Sequence, residues 1–150
     1  MPETLKFEIK PFKALSTDEL YQVLQLRSEV FVVEQNCVYQ DIDGKDAKAL
    51  HLLGFFEGKV QAYARLFKPG DYFEKASIGR VVIRSEFRDR KWGHLLMKAA
   101  IDGIAEHFGA SEITISAQLY LKKFYEANGF SAMGESYLED DIPHIEMLRS

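Results

Sequence analysis

At 150 residues and 17.2 kDa, the chain is long enough for one domain and short for two; a chain of this size buries about 68–70% of the surface it exposes when unfolded, so it needs no disulfide framework. Hydrophobic residues make up 47% and charged residues 28%, inside the globular range and outside compositions that stay disordered. The net charge of −4 and pI near 5.6 supply no basic field for DNA or RNA, so any anion site has to be local.

The only cysteine, Cys37, excludes an intrachain disulfide and fits a reducing compartment. No apolar run approaches the ~20 residues of a membrane helix. Met1-Pro2-Glu3-Thr4 has neither the basic segment nor the apolar block of a signal peptide. The expectation is a soluble, unprocessed, cytoplasmic chain forming a single domain over residues 1–150, with no membrane or nucleic-acid partner.

In chain order, Leu5, Phe7 and Ile9 alternate with Lys6, Glu8 and Lys10, the period of a half-buried strand, until Pro11 interrupts it. Ser16-Thr17-Asp18-Glu19 matches a capping box, and Leu20, Val23, Leu24, Leu26, Val30 and Phe31 predict a helix to about residue 31. Asn36 to Lys48 loses periodicity and reads as a loop with room for a short helix. Ala49–Phe56 and Lys59–Phe67, joined by Glu57-Gly58, predict a hairpin. After the turn Lys68-Pro69-Gly70-Asp71, Ala76–Ile83 reads as a strand buried on both faces. A helical stripe runs from Trp92 to Phe108 with Gly109 as its stop. Ile113 and Ile115 mark a fifth strand, Leu121 to Asn128-Gly129 a shorter helix, and Phe130–Leu138 with Ile142–Leu148 a closing hairpin around Glu139-Asp140-Asp141. The order β-α-loop-β-β-β-α-β-α-β-β is that of an α/β protein with a mixed sheet.

The passage from Val81-Val82-Ile83 through Arg88, Asp89, Arg90 and Lys91 into Trp92-Gly93-His94 carries the most chemistry. A strand feeding a helix through a tight loop aims unpaired N–H groups and the positive end of the helix dipole at one point. That is an anion site, to which Arg88, Arg90 and Lys91 add charge and where Gly93 leaves room for a ligand; a pyrophosphate suits it. Neither a Walker loop nor the dinucleotide glycine spacing is present. For an arbitrary sequence, a solvated loop and a packing glycine account for the same residues.

The run Ile83-x-Ser85-Glu86-x-Arg88-x-x-Lys91-x-Gly93-x-x-Leu96-Met97 resembles the acyl-CoA signature of the GCN5-related N-acetyltransferase (GNAT) superfamily, Gln/Arg-x-x-Gly-x-Gly/Ala after a strand, with Lys91 in place of a glycine. Gln118-x-x-Leu121-x-x-x-Tyr125-x-x-x-Gly129-Phe130 is similar to a second motif of that superfamily, with Gln118 and Leu121 as substitutions. Leu26 to Gly44 and the tail Glu139 to Ile145 resemble its ElaA-like branch. The resemblance implies the GNAT acyl-CoA N-acyltransferase fold, with strands four and five splayed. It implies acetyl-CoA as cosubstrate, its pantetheine along Val81, Val82 and Ile83, and its pyrophosphate on Arg88–His94. Gln118 falls at a position tied to the coenzyme. Superfamily relatives are often dimers, which makes the terminal hairpin a candidate interface.

An extended pantetheine carries amides, and an open strand edge offers them backbone partners in a row. Acyl transfer needs a neutral amine, and deprotonating a lysine-like amine near pKa 10.4 at neutral pH costs roughly 4–5 kcal/mol. A base is useful, and the departing thiolate benefits from a proton donor. Tyr125 matches the superfamily's general-acid position; as a plain residue it reads equally as a core aromatic. Glu34 ranks first as base, against a structural salt bridge with Arg27, Arg65 or Arg80. His51, Asp41, Asp43 and His144 are the other titratable candidates, His51 in an apolar strand that more often holds a satisfied core histidine. Ser77 stands where some relatives carry a catalytic glutamate. Asp41-Ile42-Asp43-Gly44-Lys45-Asp46 has the wrong spacing for calcium, and no cluster fits zinc, so no metal is expected. The resulting expectation is an acetyl-CoA-dependent N-acetyltransferase acting by direct attack on a small-molecule or peptide amine. Its rivals are a non-catalytic acyl-CoA-binding regulatory module and, on Arg84, Arg88, Arg90 and Lys91 alone, a nucleic-acid module.

Overall fold

The computed structural model describes residues 4–150; Met1–Glu3, part of the stretch read above for a signal segment, lies outside them. Strands β1 (Lys6–Pro11), β2 (Leu50–Phe56), β3 (Lys59–Phe67), β4 (Ala76–Ile83), β5 (Ile113–Gln118), β6 (Ser131–Glu139) and β7 (Ile142–Arg149) form one mixed sheet in the order β1-β2-β3-β4-β5-β7-β6. Helices α1 (Thr17–Arg27), α2 (Trp92–Phe108) and α3 (Lys122–Ala127) cover it. Pro11 ends β1 opposite Leu50, and because β1 is an edge strand the missing N–H costs the sheet no hydrogen bond.

The capping box forms: Glu19 N–H donates to Ser16 Oγ at 3.0 Å and Ser16 N–H to Glu19 Oε1 at 2.9 Å. The helix predicted to reach residue 31 changes character earlier. From Ser28 to Glu34 it widens into a π-helix, a wide turn that recurs at functional sites. Alternation along β2 and β3 sends Leu52, Ala64 and Leu66 to one face and Leu53 and Tyr63 to the other. On the first face Leu96, Met97, Ala100 and Ile104 of α2 pack; on the second, Val23 and Leu26 of α1 with Val30. Each of the buried Leu, Ile, Val and Met side chains among these stabilises the fold by about 1.5–3 kcal/mol relative to exposure. Gly103 sets the closeness of α2 to the sheet, since a Cβ there would meet Ile9 Cδ1 at 2.6 Å.

The closing hairpin inserts rather than appends. β7 runs antiparallel to both neighbours, with Gln118 opposite His144 on the β5 side and Tyr137 opposite His144 on the β6 side. β4, expected to be buried on both faces, is only half-buried at Gly79, Arg80 and Val81, because the sheet opens beside it.

Candidate active site

β4 and β5 are parallel and pair at only two positions, Ala76 with Ile113 and Ser77 with Thr114. Beyond these, β4 follows β3 to Ile83 and β5 follows β7 to Gln118. The strands diverge, as expected, and the β4 edge facing β5 has no ladder partner past Ser77. A bulge accompanies the divergence: Arg80 and Val81 together oppose Ala64, and Arg80 takes a left-handed φ of 50°. Such a bulge increases local twist and re-aims the side chains beside it. A cavity of about 580 Å³ fills the gap.

At one end of the cavity β4 passes through a 3₁₀ turn, Ser85–Arg90, into α2. Lys91, standing where the motif has glycine, adopts φ 59° and ψ 26°, a left-handed conformation costly for a residue with a Cβ. The first-turn N–H groups of α2 lack intrahelical acceptors. Arg88, Lys91, Gly93 and His94 line the cavity. Asp89, Arg90 and Trp92 do not, and this corrects the reading of that loop: Arg90 lies over the rings of Phe56, Phe87 and Trp92 at 5.0–5.5 Å, and Trp92 is in the core. Gly93 also has a packing reason, because a Cβ there would meet Phe124 Cε1 at 3.0 Å. Asn128 donates to His94 Nδ1 at 3.2 Å. Arg84 is held by Glu29 at 2.7 Å and Gln61 at 2.6 Å, so the basic run disperses instead of forming a stripe for a nucleic acid.

The segment that ends the π-helix bridges the two halves of the split sheet. Glu34 pairs with Arg88, whose Nε donates to the Ile83 carbonyl at 2.9 Å. The amides of Gln35 and Gln118 hydrogen-bond reciprocally at 3.3 and 3.2 Å. The Cys37 thiol donates to the Asp140 carbonyl at 3.3 Å, and Arg80 lies over the Tyr39 ring at 5.5 Å. The partners considered for Glu34 were Arg27, Arg65 and Arg80; its actual partner is Arg88, because those three arginines are engaged elsewhere.

They meet three aspartates of the 37–48 loop. Arg27 reaches Asp41 at 2.9 Å and Asp46 at 2.8 Å; Arg65 reaches Asp43 at 2.8 Å and Asp46 at 2.9 Å. Arg80 Nη2 donates to the Asp41 carbonyl at 3.1 Å, while its Nε lies 2.8 Å from Asp41 Oδ1, too oblique for a hydrogen bond. Burial works to raise the Asp43 and Asp46 carboxyls, but the Arg65 and Arg27 forks override it and hold both below the usual carboxylate range. His51 belongs to this cluster and does not line the cavity, which corrects its candidacy as base. It is 1% exposed. Its Nε2 faces the Asp46 carbonyl at 2.9 Å, which can only accept, so Nε2 carries the hydrogen and Nδ1 accepts from the Tyr63 hydroxyl at 2.5 Å. Burial pushes its pKa down.

Tyr125, on α3, lines the cavity between Phe124 and Phe130, and burial pushes its phenol well above the ordinary range. On the opposite wall the sequence offered His144 as a candidate but missed Ser116, Tyr137 and Glu139 around it. Ser116 Oγ lies 2.5 Å from the Tyr137 hydroxyl and donates to Glu139 Oε1 at 3.0 Å, and His144 Nε2 lies 3.6 Å from Glu139 Oε2. Alternation in Ile142, His144 and Glu146 was the available signal, since it puts His144 and Glu146 on one face. Phe67, Tyr72 and Phe73 complete this end, with Tyr72 stacked on Phe67 at 5.0 Å.

Residues 13–150 match the family described as the acetyltransferase (GNAT) domain. The chain belongs to the GNAT family. It is 44% identical over 137 residues to protein ElaA of Escherichia coli, covering 90% of each chain. The crystal structure of Escherichia coli ElaA superposes with a TM-score of 0.90 at 40% identity, covering 97% of this chain and 99% of that one. An acyl-CoA N-acyltransferase from Pseudomonas aeruginosa superposes equally, with a TM-score of 0.90 at 42% identity over 97% of this chain and 100% of that one. This GNAT protein is thus ElaA-like, with the acyltransferase fold and the acyl-CoA-dependent acyl-transfer chemistry of its family.

Proposed function

We propose that the protein is an acetyl-CoA-dependent N-acetyltransferase that passes the acetyl group directly to the primary amine of a small molecule or peptide. The observation that carries this reading is the unpaired β4 edge running from Ile78 to Ile83 and leading to the start of α2, with Lys91 at the junction. Backbone of Val81, Val82 and Ile83 pairs with the pantetheine amides. The α2 N-terminus and Lys91 take the pyrophosphate, where the dipole and an ammonium act together. Arg88 contributes as the anchor of the turn, through Ile83 and Glu34, and Gln118 holds the far side of the channel through Gln35.

Tyr125 donates a proton to the departing thiolate. A phenol is protonated at neutral pH, as a donor must be before transfer, and burial reinforces this. Calorimetry and thiol-release kinetics on Tyr125→Phe test the assignment: kcat falls about 100-fold while acetyl-CoA affinity holds. Unaltered kcat makes Tyr125 a packing residue. Coenzyme binding with no thiol release across an amine panel would favour a non-catalytic acyl-CoA-binding module instead.

A further inference from the structure

The charged side chains lining the cavity divide by whether their charge is met. Arg65 and Arg80 face aspartates, and Arg88 faces Glu34. Among the described residues, Lys91, Glu139 and Asp140 have no oppositely charged Lys, Arg, Asp or Glu partner within 4.0 Å; Glu139 has only His144. Lys91 is at the phosphate end. Glu139 and Asp140 lie at the turn of the β6–β7 hairpin, and Phe67, Tyr72 and Phe73 line the same cavity.

His144 is 7% exposed. Its Nδ1 lies 2.7 Å from the Ile142 carbonyl, an acceptor only, so Nδ1 carries the hydrogen. The neutral ring therefore presents its lone pair at Nε2, the nitrogen next to Glu139. The groups facing this ring from the packed strands are Tyr137, stacked at 6.3 Å, and Glu139 of β6, with Gln118 opposite on β5 and Ser116 bound to both Tyr137 and Glu139. A carboxylate, a hydroxyl and the Nε2 of the ring thus converge on a site where Tyr137 stacks on the imidazole.

We infer that this site receives the acceptor as a cationic primary amine on an apolar stem, with Glu139 holding the ammonium and His144 Nε2 taking its proton. The inference rests on the acetyltransferase reading and adds the acceptor class and the base. The ammonium gives one proton to His144 Nε2, and the freed amine attacks the thioester carbon. A C–N bond forms, the C–S bond breaks, and the thiolate takes the Tyr125 proton. The second proton shed by nitrogen restores Tyr125, and the proton on His144 leaves to water. Glu34 is engaged by Arg88, Asp41 and Asp43 are engaged by Arg27, Arg80 and Arg65, and His51 lies outside the cavity, which leaves His144, with Glu139 beside it, as the sequence candidate positioned for this transfer.

The test uses wild type, His144→Ala and Glu139→Gln, with n-pentylamine as acceptor probe, measured by thiol release from acetyl-CoA, by calorimetry of acetyl-CoA binding and by thermal melting. His144→Ala lowers kcat at least 100-fold with coenzyme affinity within twofold, and added imidazole restores part of the rate. Glu139→Gln raises the KM for n-pentylamine about tenfold while coenzyme binding holds. If His144→Ala melts early, His144→Gln replaces it with the same expected loss. Retention of kcat within threefold in both histidine variants overturns the inference and leaves the acetyltransferase reading standing. So does wild-type protein that acetylates other amines but not n-pentylamine. Wild-type protein that binds no acetyl-CoA overturns both.

Discussion

Two groups of charged residues border the same cleft and differ in how completely they are satisfied. Arg27, Arg65, Asp41 and Asp46 are all below 9% exposed, and together with Arg80 and Asp43 they match three cations to three anions. Glu139 and Ser116 are more open, His144 beside them is as buried as the aspartates, and their one carboxylate meets no arginine or lysine. The first arrangement fixes the 37–48 loop to the sheet. The second retains the capacity to bind a cation and move a proton. Proximity to a cleft therefore does not distinguish chemistry from scaffolding; an unmet charge does.

Removing one member of the closed group should have the largest effect. Arg65→Ala leaves Asp43 and Asp46 buried beside too little positive charge, and denaturant unfolding should show a loss of about 3–5 kcal/mol. A loss under about 1 kcal/mol would mean that water enters and re-solvates the carboxylates. Acid should attack the same group. Asp43 and Asp46 have depressed folded pKa values, so their stabilisation is present above the ordinary carboxylate range and is lost as pH falls through the folded values. His51, also depressed, adds to this: below about pH 6.5 the unfolded chain gains a proton that the folded ring resists. Urea midpoints taken from pH 7 to pH 3 should fall throughout, and a flat profile would contradict the pairing.

Lys91→Gly relieves a left-handed residue and should stabilise by about 1 kcal/mol, while weakening acetyl-CoA binding through loss of the ammonium. Stabilisation without weakened binding would separate the backbone role from the charge. The smallest effect belongs to the open group: Glu139→Gln should change unfolding free energy by under about 0.5 kcal/mol. A larger destabilisation would make Glu139 a structural anchor after all.

Much of the framework is legible in the sequence. β3, β4 and α2 occupy the residues predicted for them; for α2 this is because burial against one partner imposes a period of 3.6, and for β3 and β4 because apolar runs bounded by turn residues mark strands. The departure of β4 from β5 is not written in any period, since the apolar run Ile78 to Ile83 reads alike whether it meets a strand or a ligand. The insertion of β7 beside β5 is equally silent, because a hairpin's sequence does not say which of its strands joins the sheet. Among site residues, the motif register placed Tyr125, Lys91 and Gly93 at the cavity. It misjudged Arg90 and Trp92, whose aromatic contacts with Phe56 and Phe87 link residues far apart in the chain. The partners of Arg27, Arg65 and Arg80 lie in an aperiodic loop, where pairing leaves no pattern to read.

The place of β7 between β5 and β6 bears on how the molecule is made. The ribosome delivers β7 after both strands it separates, so until Ile142–Arg149 emerges each of them has an open flank that invites association with other nascent chains. The wall that bears His144 is then the final piece of the cleft to be set.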